Sequence, residues 1–374
     1  MREERKTRVL VVDDSALVRR ALSGIIQAEP GLELVGTACD PFVAQEKINS
    51  LKPDVLTLDL EMPGMDGLTF LKKLMRFHPM PVIIISALGK ASSRAAVEAL
   101  QSGAVDVIAK PGSGSVGDWG RTLGTKIRAA ASARLRRTPA ALPPAVWPPQ
   151  DKTPWAPIGP SSANVASSNV ASASASSLNA SFSNVASSNV ARVVAIGSST
   201  GGVQAIETIL TNLSGMCPPI LIVQHIPPVF SAALAARLNK VCSITVREAR
   251  EGDTVHPGLA LIAPGNYHMT LQGANGRYRV SLNQDALVQH QRPAADVLFQ
   301  SVAKAAGKAA LGVILTGMGA DGAAGLLAMK EAGARTIAQN EATCVVFGMP
   351  REAIKLGAAE RVLALDRIAA ELHN

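Results

Sequence analysis

The sequence is poor in aromatic residues, in paired cysteines and in long apolar runs, and each shortage argues against a class of protein. Aromatic residues make up 3% of the 374 residues, too few for the stacking surfaces of many nucleic-acid binders. Four scattered cysteines form no C-x-x-C pair, so we expect reduced thiols in a cytoplasmic protein. Apolar runs such as residues 82–85 have only the length of a strand, which argues against membrane insertion. The charged start MREERKT is followed by no apolar signal segment.

Hydrophobic residues, by contrast, are plentiful at 47% of the chain, as in folded globular proteins. The length predicts two domains, each large enough for its own core. The formal net charge is +8, and part of the excess lies in residues 126–137. We interpret that basic segment as a solvated helix end rather than as a nucleic-acid surface.

The first 110 residues alternate short apolar strands with helical patterns. The predicted strands are Arg8–Val12, Leu32–Thr37, Val55–Leu58, Val82–Ile85 and Val105–Ile108. Five such βα units predict a doubly wound parallel sheet that is covered by helices on both faces.

Polar residues follow the carboxyl ends of four of these strands, and they are Asp13, Asp14, Asp59, Ser86 and Lys110. In an open α/β sheet these ends converge on one crevice. Three carboxylates there repel one another unless a hard cation joins them, and Mg²⁺ suits oxygen ligands. A carboxylate beside that cation can accept a phosphoryl group, which the lysine neutralises. A single aspartate of this kind is more often a helix cap or a turn residue, but five matching positions weaken that alternative.

Residues 126–190 are predicted to be a flexible linker. Prolines crowd residues 139–160, and a Ser/Ala/Asn-rich segment follows in which NVASSNVA occurs at 164–171 and again at 184–191. These repeats lack a hydrophobic face, so a tether is favoured over a solenoid.

The rest of the chain is organised around residues 193–202, VVAIGSSTGG, which predict a buried strand, a tight turn and a helix start. A serine in such a turn can be a nucleophile, or the turn can hold an anion. His225 follows the next apolar strand, and Asp321 lies in a glycine-rich loop after a later one. If these strands are neighbours, Ser199, His225 and Asp321 meet at one rim and can form a hydrolytic triad. A capping serine and a structural histidine are the alternative interpretations.

A dinucleotide site is the main alternative for this turn. Gly197 and Gly202 match the first and third glycines of G-x-G-x-x-G, but Ser199 occupies the middle position. Gln224-His225 stands where the acidic residue is expected.

Residues 268–272 and 277–282 flank an Asn-Gly pair and predict a hairpin. The fold class of this half is therefore α/β, with a mostly parallel sheet and an antiparallel hairpin.

Residues 7–125 resemble a response-regulator receiver domain. The motifs VVDDS, LDLEMPGMDG, IIISA and the Lys110-Pro111 pair carry the resemblance. It implies that Asp59 is the phosphoryl acceptor, that Asp13, Asp14 and Asp59 hold Mg²⁺, and that Ser86 and Lys110 are switch residues.

Residues 191–374 resemble the catalytic domain of the chemotaxis protein-glutamate methylesterases. The resemblance is carried by VAIGSSTGG, IVQHIPPVFSAALAARLN, RPAADVLFQSVA and GVILTGMGADGAAGL. It implies that Ser199 is the nucleophile, His225 the general base and acid, and Asp321 the orienting carboxylate. The resemblance also implies that Thr200 lies beside the nucleophile and that the Met318 N–H contributes to the oxyanion hole.

Three features depart from that family. Ser198 stands where alanine is usual, and the following Thr-Gly-Gly favours Ser199 as the reactive serine. Residues 291–294 read QRPA instead of HRPS, with His290 one place earlier, so a substrate-positioning role there is in doubt. The linker is unusually long, which argues against tight packing of the two domains.

Together the resemblances imply a phosphorylation-activated hydrolase of chemotactic adaptation. A chemotaxis histidine kinase would phosphorylate Asp59. The enzyme would release methanol from glutamyl methyl esters of chemoreceptors and deamidate receptor glutamines. We expect no cofactor for the esterase and no nucleic acid as a partner. We expect the protein to be a monomer. A non-catalytic signalling module is the alternative, and a DNA-binding regulator ranks lower because the second domain is predicted to be α/β.

Overall fold

Five parallel strands form the N-terminal sheet in the computed structural model, which describes residues 5–110, 116–135 and 193–373. The strands are β1 (Thr7–Val12), β2 (Leu32–Ala38), β3 (Val55–Asp59), β4 (Val82–Ser86) and β5 (Asp106–Ala109). The helices are α1 (Ala16–Ala28), α2 (Pro41–Leu51), α3 (Gly67–Phe77), α4 (Lys90–Gln101) and α5 (Val116–Ala131). The strand order β2-β1-β3-β4-β5 confirms the predicted doubly wound sheet.

The carboxyl ends of β1 and β3 lie side by side in this sheet because the two strands pair in parallel, with Val12 opposite Leu58. The central strands are buried on both faces, as their continuous apolar runs predict. The residues that follow β1 and end β3 are therefore brought to a common edge.

Helix α5 extends beyond residue 125, where the predicted linker begins. Ile127 and Ala130 are buried against the N-terminal sheet, and Lys126 Nζ lies 2.6 Å from Asp106 Oδ1. Residues 126–131 are helical because they carry this apolar face, which composition alone did not reveal. Residues 136–190 of the predicted linker lie outside the described ranges.

Ten strands and six helices make up the C-terminal half of the described chain. The strands are β6 (Val193–Ser198), β7 (Ile220–Gln224), β8 (Thr245–Glu248), β9 (Thr254–Val255), β10 (Leu259–Ile262), β11 (His268–Ala274), β12 (Arg277–Asn283), β13 (Ala310–Ile314), β14 (Arg335–Gln339) and β15 (Arg361–Leu363). The helices are α6 (Gly202–Leu210), α7 (Phe230–Val241), α8 (Ala295–Ala306), α9 (Ala323–Glu331), α10 (Met349–Lys355) and α11 (Leu365–His373).

Seven of these strands form a parallel sheet in the order β15-β14-β13-β6-β7-β10-β8. The remaining three form an antiparallel sheet in which β11 and β12 are joined through Asn275 and Gly276, both at positive φ. Positive φ at both turn residues is the geometry that an Asn-Gly pair favours in a two-residue hairpin. The predicted fold class, a mostly parallel sheet with an antiparallel hairpin, is confirmed.

The two sheets belong to domains that pack together through helices, with α4 of the first against α6 and α7 of the second. Within the described ranges, no helix is both long and apolar enough to cross a membrane.

Candidate active site

The turn after β6 positions Ser199 at the carboxyl edge of the C-terminal sheet. The Ser199 N–H donates to the carbonyl of Thr316 at 3.0 Å, and the Gly202 N–H donates to the Ser199 carbonyl at 2.8 Å. Gly201 has φ +77°, and a Cβ there would lie 2.5 Å from the Val345 side chain. A glycine is therefore required for the chain to turn so sharply into α6.

The strand order brings the three predicted triad residues to one rim. Strand β6 lies between β7 and β13, so Ser199, His225 and the loop with Asp321 all follow adjacent strand ends. His225 Nε2 lies 2.7 Å from Asp321 Oδ2, and both side chains are buried. Ser199 and His225 line one cavity, and no hydrogen bond joins their side chains. Such a bond often tightens only when substrate is bound.

Asp321 is held as a carboxylate by the start of α8. Its Oδ2 accepts the Ala295 N–H at 2.6 Å, and its Oδ1 accepts the Asp296 N–H at 3.0 Å. Burial pushes the pKa of Asp321 upward, but the hydrogen bond and charge of His225 and these N–H donors outweigh burial and lower it. An ionised Asp321 favours the tautomer of the neutral His225 ring that carries its proton on Nε2. Nδ1 is then the ring nitrogen that can accept a proton.

Met318 lies in the glycine-rich loop that follows β13. Backbone hydrogen bonds hold its neighbour Gly317 in place. The Gly317 carbonyl accepts the N–H groups of Gly348 at 3.0 Å and Met349 at 2.9 Å, and the Gly317 N–H donates to the Val346 carbonyl at 3.1 Å. The Met318 N–H itself donates to no acceptor among the described residues. A fixed peptide with an uncommitted N–H is the arrangement that an oxyanion hole requires.

Thr200 contacts the N-terminal domain. Its hydroxyl donates to Asp106 Oδ2 at 2.5 Å, and both residues are buried. Asp106 opens β5 and also pairs with Lys126. Nothing in the sequence marked Asp106, since it neither follows a strand nor belongs to a motif.

The N-terminal domain closes the rim. A cavity of about 10 Å³ is lined by Ser199 and His225 on one side and by Val105, Asp106 and Val107 on the other. Such a volume holds about one water molecule, which leaves no room for an ester side chain. Ser199 is therefore covered in this arrangement of the domains.

Further contacts across the interface surround this closure. Gln101 donates to the carboxylate of Glu207, and Gln204 donates to the Leu100 carbonyl. Arg134, just after α5, pairs with Glu341 at 2.7 Å. The long linker thus coexists with close packing, contrary to the expectation drawn from its length.

The loop around residue 290 shows a structural role. The Arg292 guanidinium donates to Asn266 Oδ1 at 2.8 Å and to the carbonyls of Gln284 and Asp285. His290 adopts a positive φ of 62°. These contacts tie two surface loops together and assign no substrate contact to either residue.

The N-terminal sheet gathers the second group of predicted residues. Carboxylate oxygens of Asp13, Asp14 and Asp59 lie within 4.8 Å of one another. Lys110 Nζ lies 2.6 Å from Asp59 Oδ2 and 3.1 Å from Asp13 Oδ2. Burial lowers the pKa of Lys110, but its hydrogen bond to Asp59 and its charge interaction with Asp59 and Asp13 outweigh burial and raise the pKa. Ser86 ends β4 and is buried, and its backbone carbonyl accepts the Lys110 backbone N–H at 2.7 Å.

This cluster suits a hard cation. One ammonium faces three carboxylates, so negative charge is in excess. Asp13 Oδ2 is buried and, despite the short distance to Lys110, receives no well-directed hydrogen bond. Oxygen donors with an unsatisfied buried atom and surplus negative charge fit Mg²⁺.

Comparison with known proteins matches both halves of the chain. The sequence profile of the CheB methylesterase family covers residues 194–372, and that of the response regulator receiver domain covers residues 9–115. A protein of Syntrophus aciditrophicus (strain SB) named protein-glutamate methylesterase/protein-glutamine glutaminase 2 is 51% identical over 98% of this chain and 98% of its own length. A protein of the same name from Pseudomonas aeruginosa (strain PAO1) is 46% identical over 97% of this chain and 95% of its own.

A solved structure is also similar in sequence to part of this chain. The Thermotoga maritima CheB methylesterase catalytic domain is 41% identical and covers 48% of this chain and 96% of that chain, with a TM-score of 0.47.

Proposed function

Since this chain belongs to the CheB methylesterase family and carries a response regulator receiver domain, we propose that it is a phosphorylation-activated hydrolase of chemoreceptors. It cleaves glutamyl methyl esters on the cytoplasmic receptor helices to glutamate and methanol, and it deamidates selected receptor glutamines. The observation that carries this proposal is the buried His225–Asp321 pair at the rim that also holds Ser199.

Ester cleavage proceeds by acyl transfer to Ser199. The Ser199 oxygen attacks the ester carbonyl carbon while His225 Nδ1 takes the hydroxyl proton. The bond to the methoxy group then breaks, and His225 returns the proton so that methanol leaves. Water attacks the glutamyl–serine ester, again with His225 as base, and glutamate departs as Ser199 regains its proton.

Asp321 and Met318 serve the charges that develop in this reaction. The Asp321 carboxylate stabilises the imidazolium form of His225 and keeps its ring in one orientation. The Met318 N–H stabilises the carbonyl oxygen when it becomes an oxyanion, and a donor of this kind is worth roughly a hundredfold in rate. Deamidation uses the same steps with ammonia as the leaving group.

The N-terminal domain is the receiver, with Asp59 as phosphoryl acceptor and a chemotaxis histidine kinase as donor. An Asp59 oxygen bonds to phosphorus as the bond to the donor histidine breaks. Asp13, Asp14 and Asp59 would hold Mg²⁺, and the ion would supply positive charge that offsets the negative charge of the phosphoryl group. Lys110 and the Ser86 hydroxyl contact the remaining phosphoryl oxygens.

Phosphorylation uncovers the rim through β5. Lys110 follows this strand directly, and Asp106, which holds Thr200, begins it. A shift of Lys110 toward the phosphoryl group therefore acts on the strand that closes the cavity. We place the protein in the cytoplasm as a monomer, with residues 7–131 as the receiver and 191–374 as the catalytic domain.

Methanol release from methylated receptor membranes tests this function. The wild type is assayed with and without a small-molecule phosphodonor, beside Ser199→Ala and Asp59→Ala. We expect S199A to lose release in both conditions and D59A to lose only the stimulation. A wild type that binds receptors after phosphorylation but releases no methanol would identify a non-catalytic signalling module instead.

A further inference from the structure

Gln224, the last residue of β7, lies beneath the nucleophile turn and carries no role in the mechanism above. We propose that Gln224 is a positioning residue that holds the Ser199 peptide in register with His225, and that the Ser198 hydroxyl supports it. The inference rests on the proposed function, because positioning is read out through methanol release.

The contacts of Gln224 join the strand that carries the base to the turn that carries the nucleophile. Its Nε2 donates to the Ser199 carbonyl at 2.8 Å and lies 3.2 Å from the His225 carbonyl. Its Oε1 accepts the Ser198 hydroxyl at 2.7 Å. Gln224 is 3% exposed and Ser198 is fully buried, so these bonds do not compete with bulk water.

The Ser199 carbonyl determines how the amide is oriented. A carbonyl only accepts hydrogen bonds, so the NH₂ group of Gln224 has to face it. The amide oxygen then points at Ser198, whose hydroxyl satisfies it. A Cβ on Gly202 would lie 2.1 Å from Gln224 Oε1, so the glycine of the turn is what admits the amide.

The Ser199 peptide is thereby held from two sides. Its N–H is bound to Thr316 on one neighbouring strand end, and its carbonyl is bound to Gln224 on the other. Loss of the hydrogen bond from Gln224 would let the turn rotate about its remaining hydrogen bonds. A displacement of about 1 Å at a reacting group can cost roughly a hundredfold in rate.

Gln224→Met tests the proposal with little risk of unfolding. Methionine is close to glutamine in length, the Ser199 carbonyl keeps the Gly202 N–H, and the Ser198 hydroxyl keeps the Val223 carbonyl at 3.4 Å. For the full chain with phosphodonor, we expect kcat for methanol release to fall about a hundredfold while KM stays close to that of the wild type.

Ser198→Ala provides the second arm and a double-mutant cycle. Removing the hydroxyl leaves Gln224 Oε1 buried without its donor, and we expect kcat to fall about threefold to tenfold. In the Gln224→Met background the same substitution should have no further effect on kcat, because Ser198 acts through the amide.

Thr336→Val on β14 is the matched control, since it also deletes buried hydrogen bonds to the backbone, at Ala358 and Glu360, away from the rim. We expect it to lower the thermal midpoint without changing kcat per folded enzyme. The proposal is overturned if Gln224→Met keeps kcat per folded enzyme within about threefold of wild type, if it raises KM instead, or if the two substitutions are additive. Failure of the proposed function is distinguishable, because Ser199→Ala would then have no effect.

Discussion

Both parallel sheets of this protein place polar side chains at the carboxyl edge of their strands. The charges and hydrogen bonds of these side chains are balanced in opposite ways in the two sheets. At the N-terminal sheet, three carboxylates face one ammonium, and Asp13 Oδ2 has no well-directed hydrogen bond. At the C-terminal sheet, Asp321 is matched by His225 and two backbone N–H groups. Strand ends decide where a site forms, whereas the balance of charges and hydrogen bonds decides whether it needs a cation or is complete in itself.

Asp321→Asn disrupts the pairing of residue 321 with His225, and we expect it to lower the rate of methanol release more than any other change that tests this difference between the sheets. The asparagine amide cannot stabilise the imidazolium form of His225, and it favours the wrong tautomer of the neutral imidazole ring. We expect kcat for methanol release to fall by roughly 10³ to 10⁴-fold, with phosphorylation of Asp59 unaffected. Single-turnover methanol release and phosphoryl incorporation measure the two halves separately. A loss of less than about tenfold would remove Asp321 from the triad.

Asp106→Ala opens the contact between the two regions and has an intermediate effect. It removes the acceptor of the buried Thr200 hydroxyl, a bond to a charged group that is worth about 1.5–3 kcal/mol. We expect methanol release without phosphodonor to rise by about tenfold or more, since 1.4 kcal/mol corresponds to tenfold.

The control for that variant is Arg134→Ala, which removes an exposed interface ion pair with Glu341. Exposed pairs contribute about 0–1 kcal/mol, so its basal activity should rise much less. Equal activation by both variants would show that no particular bond closes the rim.

Chelation of divalent cations should change the basal rate least, because it acts on the N-terminal carboxylate cluster alone. If the carboxylate cluster alone uses Mg²⁺, chelation abolishes phosphodonor stimulation and leaves unstimulated methanol release unchanged. Readdition of Mg²⁺ should restore the stimulation. A fall in the unstimulated rate would place a cation at the esterase rim, against the arrangement of His225 and Asp321.

Much of both sites could be predicted because the relevant signals are local. The runs that become β1 and β3 are apolar and continuous, and their ends place Asp13 and Asp59 at an edge whatever the remaining topology. Ser199 is recognisable from the glycines around it. The contacts of Gln224 and Asp106 could not be predicted because they join chain segments 25 and 94 residues apart, and no periodicity reports such distances.

Local spacing and backbone preferences within a few residues were enough to predict the βα alternation, the edge at which each polar residue emerges and the hairpin at Asn275-Gly276. Three features are visible only in the folded chain: β6 lies between β7 and β13, His225 turns Nε2 toward Asp321, and Asp106 reaches Thr200. Those outcomes depend on which surfaces bury against each other across the whole chain, and that choice is made by packing rather than by local propensity.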